Sequence, residues 1–237
     1  MKITAVIPAY NEQENVGELA LRLTKSINDL QIDSDIYFVI QGDPAAVTIL
    51  EDLNKRETLQ IRWTYFPEPL GVGPAFRIGF QHIAPDCTHV LTMDADLNHQ
   101  PEELSKFVEC MDDTSTDIIV GSRYIPGGSM DGMPLWKFGL SRLVNDFFSY
   151  TTALVVRDKT SGYRLMKRAV VDGVGTSTVS RGFEFYLEFL LHAHEAGFNI
   201  CEVPIAYKVR VAGVSKMRKL ETILHYVGVL WRTYFVR

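Results

Sequence analysis

The sequence predicts an α/β fold, a mainly parallel twisted sheet with helices on both faces. Strand-like and helix-like segments alternate through the first half of the 237-residue chain, which is the rhythm of β-α-β units. The apolar run Val90-Leu91-Thr92-Met93 stops at Asp94-Ala95-Asp96, and a buried strand ending in two acids sets both at the lip of a sheet, where open α/β folds bind ligands. Hydrophobic residues make up 46% and charged residues 22%, an ordinary globular mix long enough for one large domain.

Each element has a local reason. Residues 3–7 form a short apolar run that reads as a first strand, and Asn11 to Glu14 fit a capping box opening a helix, with Asn11 as N-cap. Strands follow at residues 35–40, 61–66, 89–93 and 117–121, with helices at 45–55, 71–83 and 101–111. Pro44 precedes the second helix, a Gly-rich turn opens the third, and Pro101 stands in the first turn of the fourth. The second half differs in character. Residues 126–134 read as a Gly-rich loop, 135–156 as a long amphipathic helix or a broken pair, and 158–164 as a polar turn. A helix over 182–196 closes at Gly197. A last strand is expected at 200–207 and a terminal helix at 216–236. The parse is one domain over 1–237: a nucleotide-binding half at 1–125, an acceptor half at 126–215 and an amphipathic helix at 216–237.

Composition narrows the function class. A net charge of -5 argues against general nucleic-acid binding. Cys87, Cys110 and Cys201 are scattered without metal spacing, which points to a reduced, cytoplasmic compartment and to small buried hydrophobes. The first residues make too short an apolar run for a signal peptide. The span 135–156 is interrupted by Lys137, Arg142, Asn145 and Asp146, so no stretch reaches the about 18 apolar residues of a membrane span.

Two hard carboxylates at Asp94 and Asp96 suit Mg²⁺ or Mn²⁺, which bridges one or two acids to substrate phosphates. A solvated turn is the plain alternative; the rigid strand before them favours the metal. Pro8, Tyr10 and Glu12 follow the first strand, a natural seat for a nucleotide. Gly71-Val72-Gly73 lacks the Lys-Ser/Thr of a phosphate loop and reads as a tight turn. Arg123, after the fifth strand, either forks onto a phosphate or pairs with a neighbouring acid. Glu184 and Glu188 share a helix face at i, i+4 and are base candidates for a hydroxyl acceptor, against a solvated or paired carboxylate.

Taken together, Ala5 to Glu12, Met93 to Glu102, Gly121-Ser122-Arg123-Tyr124, Asp158-Lys159-Thr160-Ser161-Gly162-Tyr163-Arg164, Glu202-Val203-Pro204-Ile205 and Arg210 to Lys216 resemble the inverting GT-A glycosyltransferases of family 2. More narrowly they resemble the polyprenyl- (dolichyl-) phosphate mannose synthases, over essentially the whole chain and in the same motif order. The resemblance implies a GT-A (nucleotide-diphospho-sugar transferase) fold and transfer of a hexose, mannose or glucose, from a GDP- or UDP-sugar to polyprenyl phosphate. It implies that Asp94, Asp96 and Asn98 hold Mg²⁺ or Mn²⁺. Pro8, Tyr10, Glu12, Val39, Gln41 and Ala95 would line the donor, Arg210 and Lys216 would close over its diphosphate, and Arg123 and Arg142 would face the acceptor phosphate. By the same resemblance Asp94, Asp96 and Arg123 would be the catalytic set. A transferase acting on a saccharide hydroxyl and a non-catalytic nucleotide-sugar-binding relative are the alternatives.

Gln41 stands where the family carries a base-binding carboxylate, and its amide offers one acceptor and one donor, which suits uracil or guanine. Val209 and Val214 replace acids usual near the closing loop. From Tyr207 to Arg237 there are seven Lys or Arg and one acid, and Leu220, Ile223, Leu224, Val227, Leu230, Trp231, Tyr234 and Phe235 recur at helical spacing. That pattern suits either an interfacial helix on the cytoplasmic face of a membrane or packing on the core. Trp136, Phe138, Leu140, Leu143, Phe147 and Phe148 are a second candidate wedge.

Overall fold

The computed structural model describes residues 1–57, 61–111, 113–132, 135–208, 225–226 and 228–232. In chain order the elements are β1 (Lys2–Tyr10), α1 (Val16–Asp29), β2 (Asp33–Gln41), α2 (Ala45–Glu57), β3 (Ile61–Phe66), α3 (Val72–Gln81) and β4 (His89–Thr92). A 3₁₀ turn at Pro101–Glu103 leads into α4 (Leu104–Met111), then β5 (Ile118–Ser122), β6 (Ser129–Asp131), α5 (Leu135–Thr151), β7 (Arg164–Lys167), α6 (Arg168–Val174), α7 (Phe185–Glu195), β8 (Ile200–Pro204) and β9 (Ala206–Lys208).

The main sheet has seven strands in the order β3-β2-β1-β4-β7-β5-β8. The chain winds outward from β1 to β3, then returns to the other side of β1 with β4. That reversal is a topological switch point, and crevices at such points lie outside the carboxyl ends of the strands. Parallel pairing sets Val6 opposite Thr92 on one side of β1 and Tyr10 opposite Gln41 on the other. The segments after β1, β2 and β4 therefore emerge together at one edge. Helices cover both faces, as expected. Ile3, Ala5 and Ile7 pack with α1, α2 and α4, whereas Val6, Val90 and Val120 pack with α3, α6 and α7, following the alternation of a pleated strand.

Several expectations change. The polar turn expected at 158–164 is buried, with Asp158, Lys159, Ser161 and Arg164 inside, and it ends in a strand: Arg164 begins β7, antiparallel to both β4 and β5. Four residues are too few to show a period, so this strand leaves no signal in the sequence. The strand expected at 200–207 splits after Pro204, and its second part pairs with β6 inside the segment read as a loop. The helix expected from Asn11 begins at Val16, with Asn15 at its N-cap. Asn11 instead takes φ 50°, a left-handed conformation that asparagine tolerates. Its side-chain oxygen accepts the Asp43 amide at 2.7 Å, tying the β1 end to the β2 end. Gly197 closes α7 at φ 85°, as read. Cys110 and Cys201 are free thiols whose sulfurs lie 3.1 Å apart, brought together by α4 and β8. The terminal helix expected at 216–236 is helical at the described residues 225–226 and 228–232, where the Tyr226 ring packs tilted against Phe148, centroids 5.1 Å apart.

Candidate active site

The Asp94–Asp96 turn stands beyond the end of β4, beside β1. Leu97 takes φ 58° and turns the chain back over the strand end. Asp96 is thereby gripped by its own turn. Asn98 donates to it from the backbone at 3.1 Å and from the side-chain amide at 2.7 Å. The same amide reaches the Tyr207 hydroxyl at 2.6 Å, and Lys208 donates its backbone N–H to Asn98 O at 2.9 Å, so β9 roofs the turn. The Asn98 side-chain oxygen is buried and has no hydrogen-bond partner among the described residues. Buried acceptors are rarely left so, and a hard cation or its hydration water is the partner this oxygen suits. Two carboxylates plus an amide oxygen are the donor set that Mg²⁺ or Mn²⁺ takes alongside substrate phosphates, so these residues fit such an ion. Ala95 is buried in the core between the two acids.

Asp94 is held from the other half of the chain. The Tyr186 hydroxyl donates to its Oδ1 at 2.5 Å. Burial, and then the Asp94 charge, push the Tyr186 pKa well up, so the phenol keeps its proton at neutral pH. Gly162 fits against both: a Cβ there would lie 2.8 Å from the Tyr186 hydroxyl and 3.0 Å from each Asp94 oxygen. His99 is also buried at this turn, its Nδ1 3.8 Å from Asp94 Oδ2. Burial lowers its pKa to about 4, so the imidazole is neutral, and neither ring nitrogen has a hydrogen-bond partner among the described residues.

For Arg123 the structure realises the ion-pair alternative. Its Nε and Nη2 fork onto Asp158 at 2.6 and 2.7 Å, and Nη2 also reaches Thr160 Oγ1 at 2.8 Å. Burial opposes the Arg123 charge, but Asp158 outweighs it and the pKa is raised. Tyr124 and Tyr207 flank the guanidinium at 5.4 and 5.3 Å. Asn145 of α5 accepts the Lys159 amide at 2.9 Å, and buried Lys159 donates to Ser149 Oγ at 2.7 Å and to Val156 O. The 158–164 loop is thus clamped between α5 and the end of β5.

Pro8 and Tyr10 lie at the end of β1, and Glu12 accepts the Asn15 side-chain amide at 2.6 Å. Two sequence expectations shift here. The Val39 side chain is wholly buried among Tyr37, Ala75 and Leu70, because strand alternation turns it toward α3; it is a core residue and has no side-chain surface for a base. Gln41 is buried, and its side-chain oxygen accepts the Leu70 and Gly71 amides at 2.8 and 3.3 Å. Its acceptor end therefore holds the α3 turn and is not left for a nucleobase. The tight-turn reading of Gly71-Val72-Gly73 holds. Gly71 takes φ 96°, and a Cβ at Gly73 would come within 2.0 Å of Ser180 O.

Arg142 stands on the exposed side of α5, 4.0 Å from Asp146. Arg210 and Lys216 lie outside the described residues, as do Val209 and Val214. Glu184 and Glu188 are buried and follow the paired alternative, with Glu188 Oε1 3.5 Å from Arg232 Nη2 and Glu184 Oε2 3.6 Å from His225 Nδ1. Glu188 accepts the Val179 and Ser180 amides at 3.0 and 2.8 Å, and Glu184 those of Arg181 and Gly182 at 3.1 and 2.9 Å. Both fasten the loop before α7, and that occupation weakens the case for either as a general base. Tyr186 and Gly162, which meet Asp94 here, are not among the site residues the sequence predicts. Gly162 lay within a motif already singled out, but Tyr186 is 92 positions from Asp94 in an apolar helix that reads as core.

Residues 4–175 match Glycosyl transferase family 2. The chain is 32% identical over 215 residues to polyprenol monophosphomannose synthase of Mycolicibacterium smegmatis, covering 90% of this chain and 79% of that protein. It is 29% identical over 234 residues to dolichol-phosphate mannosyltransferase of Pyrococcus furiosus, covering 98% of this chain and 63% of that longer protein. Among solved structures it resembles glucosyl-3-phosphoglycerate synthase from Mycobacterium tuberculosis, crystallised with Mn²⁺, UDP and phosphoglyceric acid. The TM-score is 0.68 at 15% identity, covering 97% of this chain and 77% of that one. The same enzyme with Mg²⁺ and UDP gives 0.65 at 15% identity, over 97% and 78% of the two chains. The sheet order, the two acids at its switch point and these matches agree, and the chain belongs to glycosyltransferase family 2, with the GT-A fold.

Proposed function

We propose that this chain transfers a hexose, mannose or glucose, from GDP- or UDP-hexose to polyprenyl phosphate with inversion. The observation that supports this most is the pair Asp94 and Asp96, immobilised by Tyr186 and Asn98 at the switch point, in a chain similar to polyprenyl-phosphate mannose synthases. Residues 1–125 take the donor and 126–215 the acceptor. Asp94, Asp96 and the Asn98 oxygen hold Mg²⁺ or Mn²⁺, which when bound offsets the charge that develops on the leaving diphosphate. Pro8, Tyr10 and Glu12 hold the nucleoside, and Arg210 and Lys216 the diphosphate.

An acceptor phosphate oxygen forms the new bond at the anomeric carbon as the bond to the nucleoside diphosphate breaks. That oxygen is already ionised at neutral pH, so the reaction needs no strong base, which fits the engagement of Glu184 and Glu188 with backbone amides. Bringing two anions together is the harder task, and Arg123, with Arg142 nearer the exterior, is assigned to it. The test is transfer of radiolabelled hexose from each donor into polyprenyl phosphate. Label is expected in lipid with Mn²⁺ and absent with EDTA; transfer indifferent to chelation would count against the metal.

We infer that the protein works as a peripheral protein on the cytoplasmic face of a membrane. Leu143, Phe147 and Tyr150 are exposed on α5 at i, i+4, i+7 spacing, and Trp231 is exposed on the C-terminal helix. Of the second wedge, Phe148 turns inward and is buried, and the side chains of Trp136, Phe138 and Leu140 lie outside the described ones. Among the described residues no helix is long and apolar enough to cross a membrane. The protein is expected to float with vesicles containing anionic lipid, and Phe147→Ser to reduce that fraction. Equal flotation of the two proteins would remove α5 from the contact.

A further inference from the structure

We propose that Tyr186 is a positioning residue for the metal site, fixing the rotation of the Asp94 carboxylate so that its second oxygen is aimed at the cation. The inference rests on the reading of Asp94 as a metal ligand. A carboxylate turns easily about its last bond, and a ligand that turns must be reordered each time an ion binds. Here the Tyr186 hydroxyl holds Oδ1 at 2.5 Å, leaving Oδ2 on the side of the His99 ring, 3.8 Å from its Nδ1.

The phenol is itself immobile by construction. Its ring is buried, meets Phe76 and Phe185 edge-on at 5.8 and 5.9 Å, and lies under the Arg164 guanidinium at 5.3 Å. Arg164 is held in turn by Ser161 O at 2.9 Å and Tyr186 O at 2.8 Å. Gly162 closes the arrangement. Its φ is not in the left-handed region, so glycine is required there for space: any side chain would enter the contact between the hydroxyl and the carboxylate. Orientation of Asp94 thus depends on α7 and on the loop before β7, both in the acceptor half. Partners that orient a ligating carboxylate are worth about 10- to 100-fold in metal affinity.

The test measures Mn²⁺ binding directly, by electron paramagnetic resonance of free Mn²⁺ titrated against the full chain with UDP or GDP present. Tyr186→Phe keeps the ring and removes the hydroxyl. It is expected to weaken Mn²⁺ by about 10- to 100-fold, to raise the Mn²⁺ concentration needed for half-maximal transfer, and to lower kcat at saturating Mn²⁺ far less. Gly162→Ala disturbs the same contact from the other side. It is expected to shift Mn²⁺ affinity in the same direction, and it stands in should Tyr186→Phe not fold. Asp94→Asn separates the two layers of the argument. If it abolishes Mn²⁺ binding while Tyr186→Phe binds as tightly as the parent, or more tightly, the positioning role is overturned and the metal reading survives. If Asp94→Asn binds Mn²⁺ like the parent, the metal reading fails first.

Discussion

Asp96→Asn is expected to lower hexose transfer by about a thousandfold at unchanged fold, the range seen when one preorganised group at a developing charge is removed. Both Asp96 oxygens already accept from Asn98, one from its backbone and one from its amide. An asparagine at 96 keeps one acceptor and sets an N–H₂ group against a donor. It also removes one negative charge where, on the proposed function, a divalent ion and a diphosphate would be held together. The variant should keep its melting temperature, because the turn is also held through Lys208 and Tyr207. Steady-state transfer of radiolabelled hexose measures the effect. A rate within tenfold of the parent, with the fold intact, is incompatible with Asp96 as a ligand.

Asp158→Asn should have the largest effect on stability. Its partner Arg123 is nearly buried, with 10% of its side chain exposed against 0% for Asp158. Removing one member of such a pair leaves an uncompensated buried charge, at a cost of about 3–5 kcal/mol. For a chain of this size that lowers Tm by roughly 6–20 °C. Acid should reproduce part of the loss. Burial raises the Asp158 pKa, but Arg123 outweighs it and the folded value is lowered. Stability gained this way is present above the unfolded value of about 4 and disappears as pH falls below it, so Asp158→Asn should flatten the acid limb of a Tm-against-pH curve. The double variant Arg123→Met with Asp158→Leu removes both charges and is expected to recover most of the Tm. If Arg123 faces the acceptor phosphate, transfer stays low in that double variant. Activity returning together with stability would reduce Arg123 to a brace for the 158–164 loop.

Most of the first half was legible. The strands up to β5 and the helices between them follow from short apolar runs and local stop signals, because period and turn chemistry are properties of neighbours in sequence. Asp94 and Asp96 were legible for the same reason: a strand that ends in acids announces its own edge. Asn11 misled because asparagine caps helices and also accepts left-handed φ. Contacts about thirty positions away, the Asn11 N–H to Gln41 O at 3.0 Å and the Asp43 amide to its side chain at 2.7 Å, decide between the two. Arg123 was readable as a cation after a strand, with an ion pair as one of two alternatives, but its partner was not readable, since Asp158 reaches it across 35 positions. Val39 and Gln41 were placed by motif position, whereas the packing of α3 on β2 decided what their side chains touch.

The sequence by itself determined the α/β class, the two acids at a strand end and the family motifs, all of which are local patterns of residue type. Only the tertiary structure decided that β7 enters antiparallel beside β4, that Glu184 and Glu188 fasten a loop, and that Tyr186 holds Asp94. Hydrogen bonds and ion pairs are chosen by distance in space. In a sheet whose neighbouring strands are far apart in the chain, that distance is set by topology and packing, which no window of adjacent residues contains.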